Sequence, residues 1–144
     1  MARNFLGVVA GIIAMWLLVQ SIEYLSHVLY PPPPGLNPTD PEGIRRYIAI
    51  APAGAMAMLL AAWLAGSFVG GWTAARIAST QPRLAAGIVG AVVISGVVGM
   101  MWLVPEHPYW VSIPGLLLPI PVALLGAALA RRWPVVDARV PPDA

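Results

Sequence analysis

Four long apolar runs, each closed by arginine or proline, set the pattern of this chain. Residues 5–29, 47–75, 84–104 and 110–130 are nearly free of charge, and the arginines gather at their ends. A helix rises about 1.5 Å per residue, so about 20 apolar residues cross the roughly 30 Å hydrocarbon layer of a bilayer. Each run is long enough. The pattern predicts an all-α fold: an integral membrane bundle of four transmembrane helices over residues 1–132. Residues 133–144, rich in proline and mixed in charge, read as an extended cytoplasmic tail.

The runs are not alike. A basic residue followed by the apolar core Phe5–Val19 resembles a secretory signal, but Gln20, Ser21, Ile22, Glu23 and Tyr24 follow where a small-residue cleavage site would stand, so the run is read as a retained helix. The second run would reach roughly 43 Å as one straight helix, so it must tilt, kink near Pro52 or leave the lipid. Thr39, Asp40, Pro41 and Glu42 signal a helix start just before it, which predicts an interfacial turn there. The fourth run contains Pro114, Pro119 and Pro121 and is expected to kink.

Composition narrows the class. The chain is 59% hydrophobic and 10% charged, far from the globular range. It has no cysteine, which excludes disulfides, thiolate metal sites and thiol nucleophiles. All 8 basic residues are arginines, placed at run ends and not in a stripe, so no nucleic-acid footprint exists. Four crossings put Arg3, Arg76, Arg83, Arg131, Arg132 and Arg139 on one side, against Arg45 and Arg46 on the other. That bias predicts cytoplasmic termini in a bacterial inner membrane. Trp72 and Trp133 then fall at the inner interface, Trp102 and Trp110 at the outer one.

Lipid is as apolar as leucine, so helices within it associate through small residues and polar contacts. Gly7 and Gly11 offer such a face on the first helix, and Ala51, Ala55, Ala62, Gly66 and Thr73 on the second. Gly87, Ala91, Ser95 and Gly99 offer one on the third, Gly126 and Ala130 on the fourth. Gly7, Gly11, Ala62, Gly66, Gly87 and Gly99 are the predicted packing positions.

The stretch Gln20–Gly35, QSIEYLSHVLYPPPPG, holds the candidate chemistry. Glu23 and His27 are four apart, on one helix face and about 6 Å from each other. Trp16, Gln20 and Tyr30 extend that face, roughly opposite the Gly7 and Gly11 face. Four consecutive prolines form a stiff extended segment leading to the second helix. Glu106 and His107 lie in the loop on the same side. Convergence of Glu23, His27, Glu106 and His107 would make a ligand set for a divalent metal or haem, although the spacing matches no specific motif. The kink at the fourth run would add freed carbonyls to an outward cavity suited to cation or proton coupling.

Three functional readings follow. The leading one is a non-catalytic membrane protein that works by helix packing, as a homo-oligomer or an accessory subunit of a membrane complex, with the bilayer as its environment and no cofactor. The second is a small transporter or channel using the cavity at Glu23 and His27. The third is a metal- or haem-linked enzyme or redox subunit. No phosphate loop, nucleophile elbow or midplane acid is present, which disfavours catalysis and charged-substrate pumping.

Overall fold

Glycine and alanine decide how closely these helices approach, and the structure, a computed structural model describing residues 2–36, 40–105 and 107–132, is built on that approach. The described residues form six helices: α1 (Ala2–Leu29), α2 (Pro41–Ile50), α3 (Ala53–Ile77), α4 (Pro82–Leu103), α5 (Tyr109–Leu117) and α6 (Pro119–Arg132). Three of them, α1, α3 and α4, are long and apolar enough to cross a membrane. The pair α5 and α6, bent by 46° at Leu118, would make a fourth crossing if it acts as one broken span. Residues 133–144, where the sequence predicts a tail, lie outside the described residues.

The centre of the bundle is α3, which touches α1, α4, α5 and α6. Against α1 the contact is backbone to backbone. A Cβ placed on Gly11 would lie 2.6 Å from the Gly70 carbonyl oxygen, and one on Gly70 would lie 2.7 Å from that of Gly11. Gly7 meets Ala74 and Ala78 in the same way, and Gly66 meets Met15 and Val19. On its other side α3 meets α6, where Gly71 faces the Ala123 backbone and Gly126 the Phe68 carbonyl. Ala62 and Ala74 are fully buried between these faces. Approach this close brings main-chain dipoles and Cα–H groups into contact along the crossing.

The prediction for the third run differs from the structure. Gly87 and Gly99 have open space where a side chain would stand, and Ala91 and Ser95 share that exposed face. The inward face of α4 is instead Ala85, Ala86, Val89, Gly90, Val93 and Val97. Val89 fills space beside α1 and α3 and Val97 lies near Gly115 of α5, while Gly90 lets Pro119 and Ile120 approach. Both faces of α4 hold small residues, so residue size alone does not select the inner one.

Prolines place the breaks. The second run divides at Pro52: α2 ends at Ile50, and α3 starts afresh at Ala53. The four prolines do not run straight throughout. Gly35 has a φ of 90° and the Leu36 amide donates to the Pro33 carbonyl at 3.2 Å, a turn that only glycine adopts without strain at that position. In the fourth run Pro114 is carried inside α5, and the helix breaks before Pro119, which has no N–H to continue the ladder.

The two ends of the bundle differ in character. Asn4 on α1 accepts from the Ser79 and Thr80 amides at 3.0 and 3.2 Å, tying the start of α1 to the loop after α3. The Arg76 guanidinium donates to the Ala130 carbonyl at 3.3 Å and lies 5.4 Å from the Trp72 ring centroid. Arg3, Arg76, Arg83, Arg131 and Arg132 share this end, whereas Glu23, His27, Asp40 and Glu42 are at the other.

Replacing Gly70 by leucine drives a side chain into the Gly11 carbonyl and Val89. It should cost about 3 kcal/mol, read as lowered thermal stability of the detergent-solubilised chain, whereas Gly87→Leu should change the stability of the single chain by less than about 0.5 kcal/mol. Equal losses in both variants would contradict the packing described.

Candidate functional site at the end of the first helix

The C-terminal turns of α1 become polar as they leave the glycine crossing, and α2 reaches them through Tyr47. Asp40 caps α2 by accepting from the Gly43 amide, with Pro41 in the first turn, so the helix start read from the sequence is the one found. Ile44, Tyr47 and Ile48 recur at i, i+3 and i+4 and face inward, while Glu42, Arg45 and Arg46 face outward. Arg46 pairs with Glu42 at 3.1 Å, and the Arg45 Nε donates to the Leu103 carbonyl at 2.9 Å, fastening α2 to the end of α4.

The other side of α2 holds α1. The Tyr47 hydroxyl donates to the Tyr30 carbonyl at 3.0 Å, just past the last turn of α1, where no helical amide is available to that carbonyl. Tyr47 stacks on the His27 ring, centroids 6.2 Å apart and planes 21° apart. The Tyr30 phenol lies against Gly54 in α3, so closely that a Cβ on Gly54 would overlap the ring. Burial raises the Tyr47 phenol above its ordinary range, so its O–H persists as a donor further into alkaline pH.

Between these elements is a cavity of about 220 Å³. Its walls are mostly apolar, from Ile44, Met56 and Leu59 among others, and its polar lining comes from Glu23, Ser26, His27 and Tyr47. His27 donates from Nδ1 to the Glu23 carbonyl at 2.8 Å, since a carbonyl can only accept. That tautomer leaves Nε2 as an acceptor. The Glu23 carboxylate and the Ser26 hydroxyl have no hydrogen bond or ion pair among the described residues. The cavity edge is therefore rich in acceptors.

The metal set predicted from sequence is not assembled. His107 is 6% exposed and donates from Nδ1 to the Val104 carbonyl at 2.8 Å, with Nε2 buried and unpartnered among the described residues. Glu106 lies outside the described residues. Among the described residues no three His, Cys, Asp or Glu side chains gather closely enough to hold a metal ion, so Glu23 and His27 are not joined by His107. α2 touches the end of α1 through Tyr47 and the end of α4 through Arg45. The break in the fourth run does not reach the cavity either. Pro119 and Pro121 remove the amides that would bond the Gly115 and Leu117 carbonyls, but the cavity walls come from α1, α2, α3 and α4.

Sequence reasoning missed Ser26, Ile44, Tyr47 and Ile48. The signal was present in the 44, 47, 48 spacing, but joining Tyr47 to the second run hid α2 as a separate amphipathic helix. Comparison with known proteins finds no matching family, no similar characterised protein and no similar solved structure.

Tyr47→Phe removes the bond to Tyr30 and should cost about 1 kcal/mol. Because the folded phenol titrates above the unfolded one, this contribution is complete below the ordinary tyrosine range near pH 10 and falls as pH rises through the folded value. Thermal stability of the wild type and Tyr47→Phe measured across pH 7 to 11 should therefore converge at the alkaline end. A gap that stays constant would contradict this role.

Proposed function

We propose that the chain is a four-crossing integral membrane protein that works by helix packing, associating with a second copy of itself through α4. The observation that supports this reading is the outward face of α4. Gly87, Ala91, Ser95 and Gly99 recur every four residues there, and among the described residues nothing covers either glycine. At the crossings of α3 with α1 and α6, by contrast, the glycines are already occupied within the chain.

The membrane assignment is supported by what covers the outside of the bundle. Phe5, Trp16, Leu17, Val98, Trp102 and Leu117 are all more than half exposed, an arrangement suited to acyl chains and not to water. Three of the serines on these helices satisfy themselves: Ser21, Ser67 and Ser95 each donate to the carbonyl one turn back, at 2.7, 2.7 and 2.9 Å. The arginine-rich end then faces the cytoplasm of a bacterial inner membrane, with the cavity end outside. Conduction is less well supported, because the proline break and the cavity are separate and among the described residues nothing links them. A metal or haem role lacks a gathered set of three ligands among the described residues.

The native mass of the protein in a gentle detergent tests the reading. A dimer of the 15.2 kDa chain is expected. Gly87→Leu with Gly99→Leu should convert it to a monomer with unchanged helical content. A monomeric wild type, or a dimer indifferent to both substitutions, would overturn association through α4.

A further inference from the structure

We propose that the cavity at the end of α1 is a binding site for an amphiphilic primary amine: an ammonium group attached to an apolar body about the size of a bicyclic aromatic. The site stands whether or not two copies associate through α4, because every wall belongs to one chain.

The polar side of the cavity has acceptors in excess of donors. The Glu23 carboxylate accepts only, and no donor meets it among the described residues. His27 has committed its Nδ1–H to the Glu23 carbonyl, which leaves Nε2 with a lone pair. The Tyr47 O–H is committed to the Tyr30 carbonyl. Ser26 differs from Ser21, Ser67 and Ser95 in making no bond to the preceding turn. Glu23, Ser26 and His27 therefore present three acceptors from one turn and a half of α1 to one space. A primary ammonium brings three N–H donors and a positive charge, whereas an alcohol brings one donor and a carboxylate none.

Charge points the same way. The arginines of α2 are turned outward, Arg46 onto Glu42 and Arg45 onto the Leu103 carbonyl, so neither compensates Glu23. A carboxylate beside apolar walls, with only the His27 ring near enough to offset its charge among the described residues, gains from a bound cation, because the local dielectric is low.

The apolar side sets the size. Ile44, Ala55, Met56, Leu59 and Met100 bound a space of about 220 Å³. A cavity of about 150 Å³ holds benzene, so a fused bicyclic ring or a short alkyl chain fits here. Both a soluble aromatic amine and a lipid with an amine headgroup carry this chemistry, and the test separates them.

The chain has no cysteine, so Leu59→Cys gives a single thiol in the cavity wall. Its labelling by N-ethylmaleimide is followed in phosphatidylcholine nanodiscs, with tryptamine as probe and the alcohol tryptophol as its neutral counterpart. Tryptamine should slow labelling at least tenfold at saturation, and tryptophol should not. Glu23→Gln should raise the half-protecting tryptamine concentration tenfold or more without altering labelling in its absence, and Ser26→Ala should raise it about threefold. Nanodiscs containing phosphatidylethanolamine that slow labelling with no tryptamine added would assign the amine to a lipid; an unchanged rate would assign it to a soluble molecule. Equal protection by tryptamine and tryptophol, or protection unaffected by both substitutions, would overturn the proposal.

Discussion

The structure depends on the contact between the backbones of α1 and α3 at Gly11 and Gly70. In water a helix pair is held by apolar side chains leaving solvent, but in lipid that drive is absent and proximity itself must stabilise the pair. At this crossing each glycine occupies the space that the other's side chain would need. Gly71 and Gly126 repeat the arrangement against α6, so α3 is gripped on two sides. Many large side chains lie on the exterior, whereas Trp63 is buried against Gly115. Val89, Val93 and Val97 fill the remaining gap from α4.

Tight crossings along the helices leave the polar problem to their ends. At one end Asn4, Arg76 and the Ser79–Thr80 amides close the connection after α3. At the other the buried glycine face of α1 ends at Met15, and beyond it α1 meets α3 through side chains, Val19 against Gly66 and, just past its last turn, Tyr30 against Gly54. The cavity exists because Tyr30 and Tyr47 hold α1, α2 and α3 together at their edges while Ile44 and Met56 do not fill the middle. The same geometry that makes the bundle tight in its centre makes it open near Glu23.

The sequence made the apolar runs legible because a helix of that length and hydropathy has few alternatives. Asp40 and Pro41 were readable as a helix start because a cap is a local interaction. Gly7, Gly11 and Gly66 were visible as small positions, and they do sit at close approaches. Gly87 and Gly99 looked the same, since spacing carries no information on which face meets a neighbour. That choice is made by the bulk of Val89 and Val97 opposite. The division at Pro52 was anticipated as a kink, yet the consequence, a free amphipathic helix lying over Glu23 and His27, depended on where α1 ends and how the chain turns at Gly35. Convergence of Glu23, His27 and His107 depends on how the helix ends sit in the tertiary structure, which spacing along the chain does not encode, and among the described residues they do not gather.

The proposal that these helices cross a bilayer, with the arginine-rich end and the cavity end on opposite sides, is tested most directly by single cysteines at Gln81 and Pro33 in sealed vesicles of known orientation. Both positions are exposed, at opposite ends of the bundle. A membrane-impermeant maleimide added outside should label the Pro33→Cys chain in right-side-out vesicles and the Gln81→Cys chain in inverted ones. Labelling of both from the same side would contradict the crossing and the account built on it.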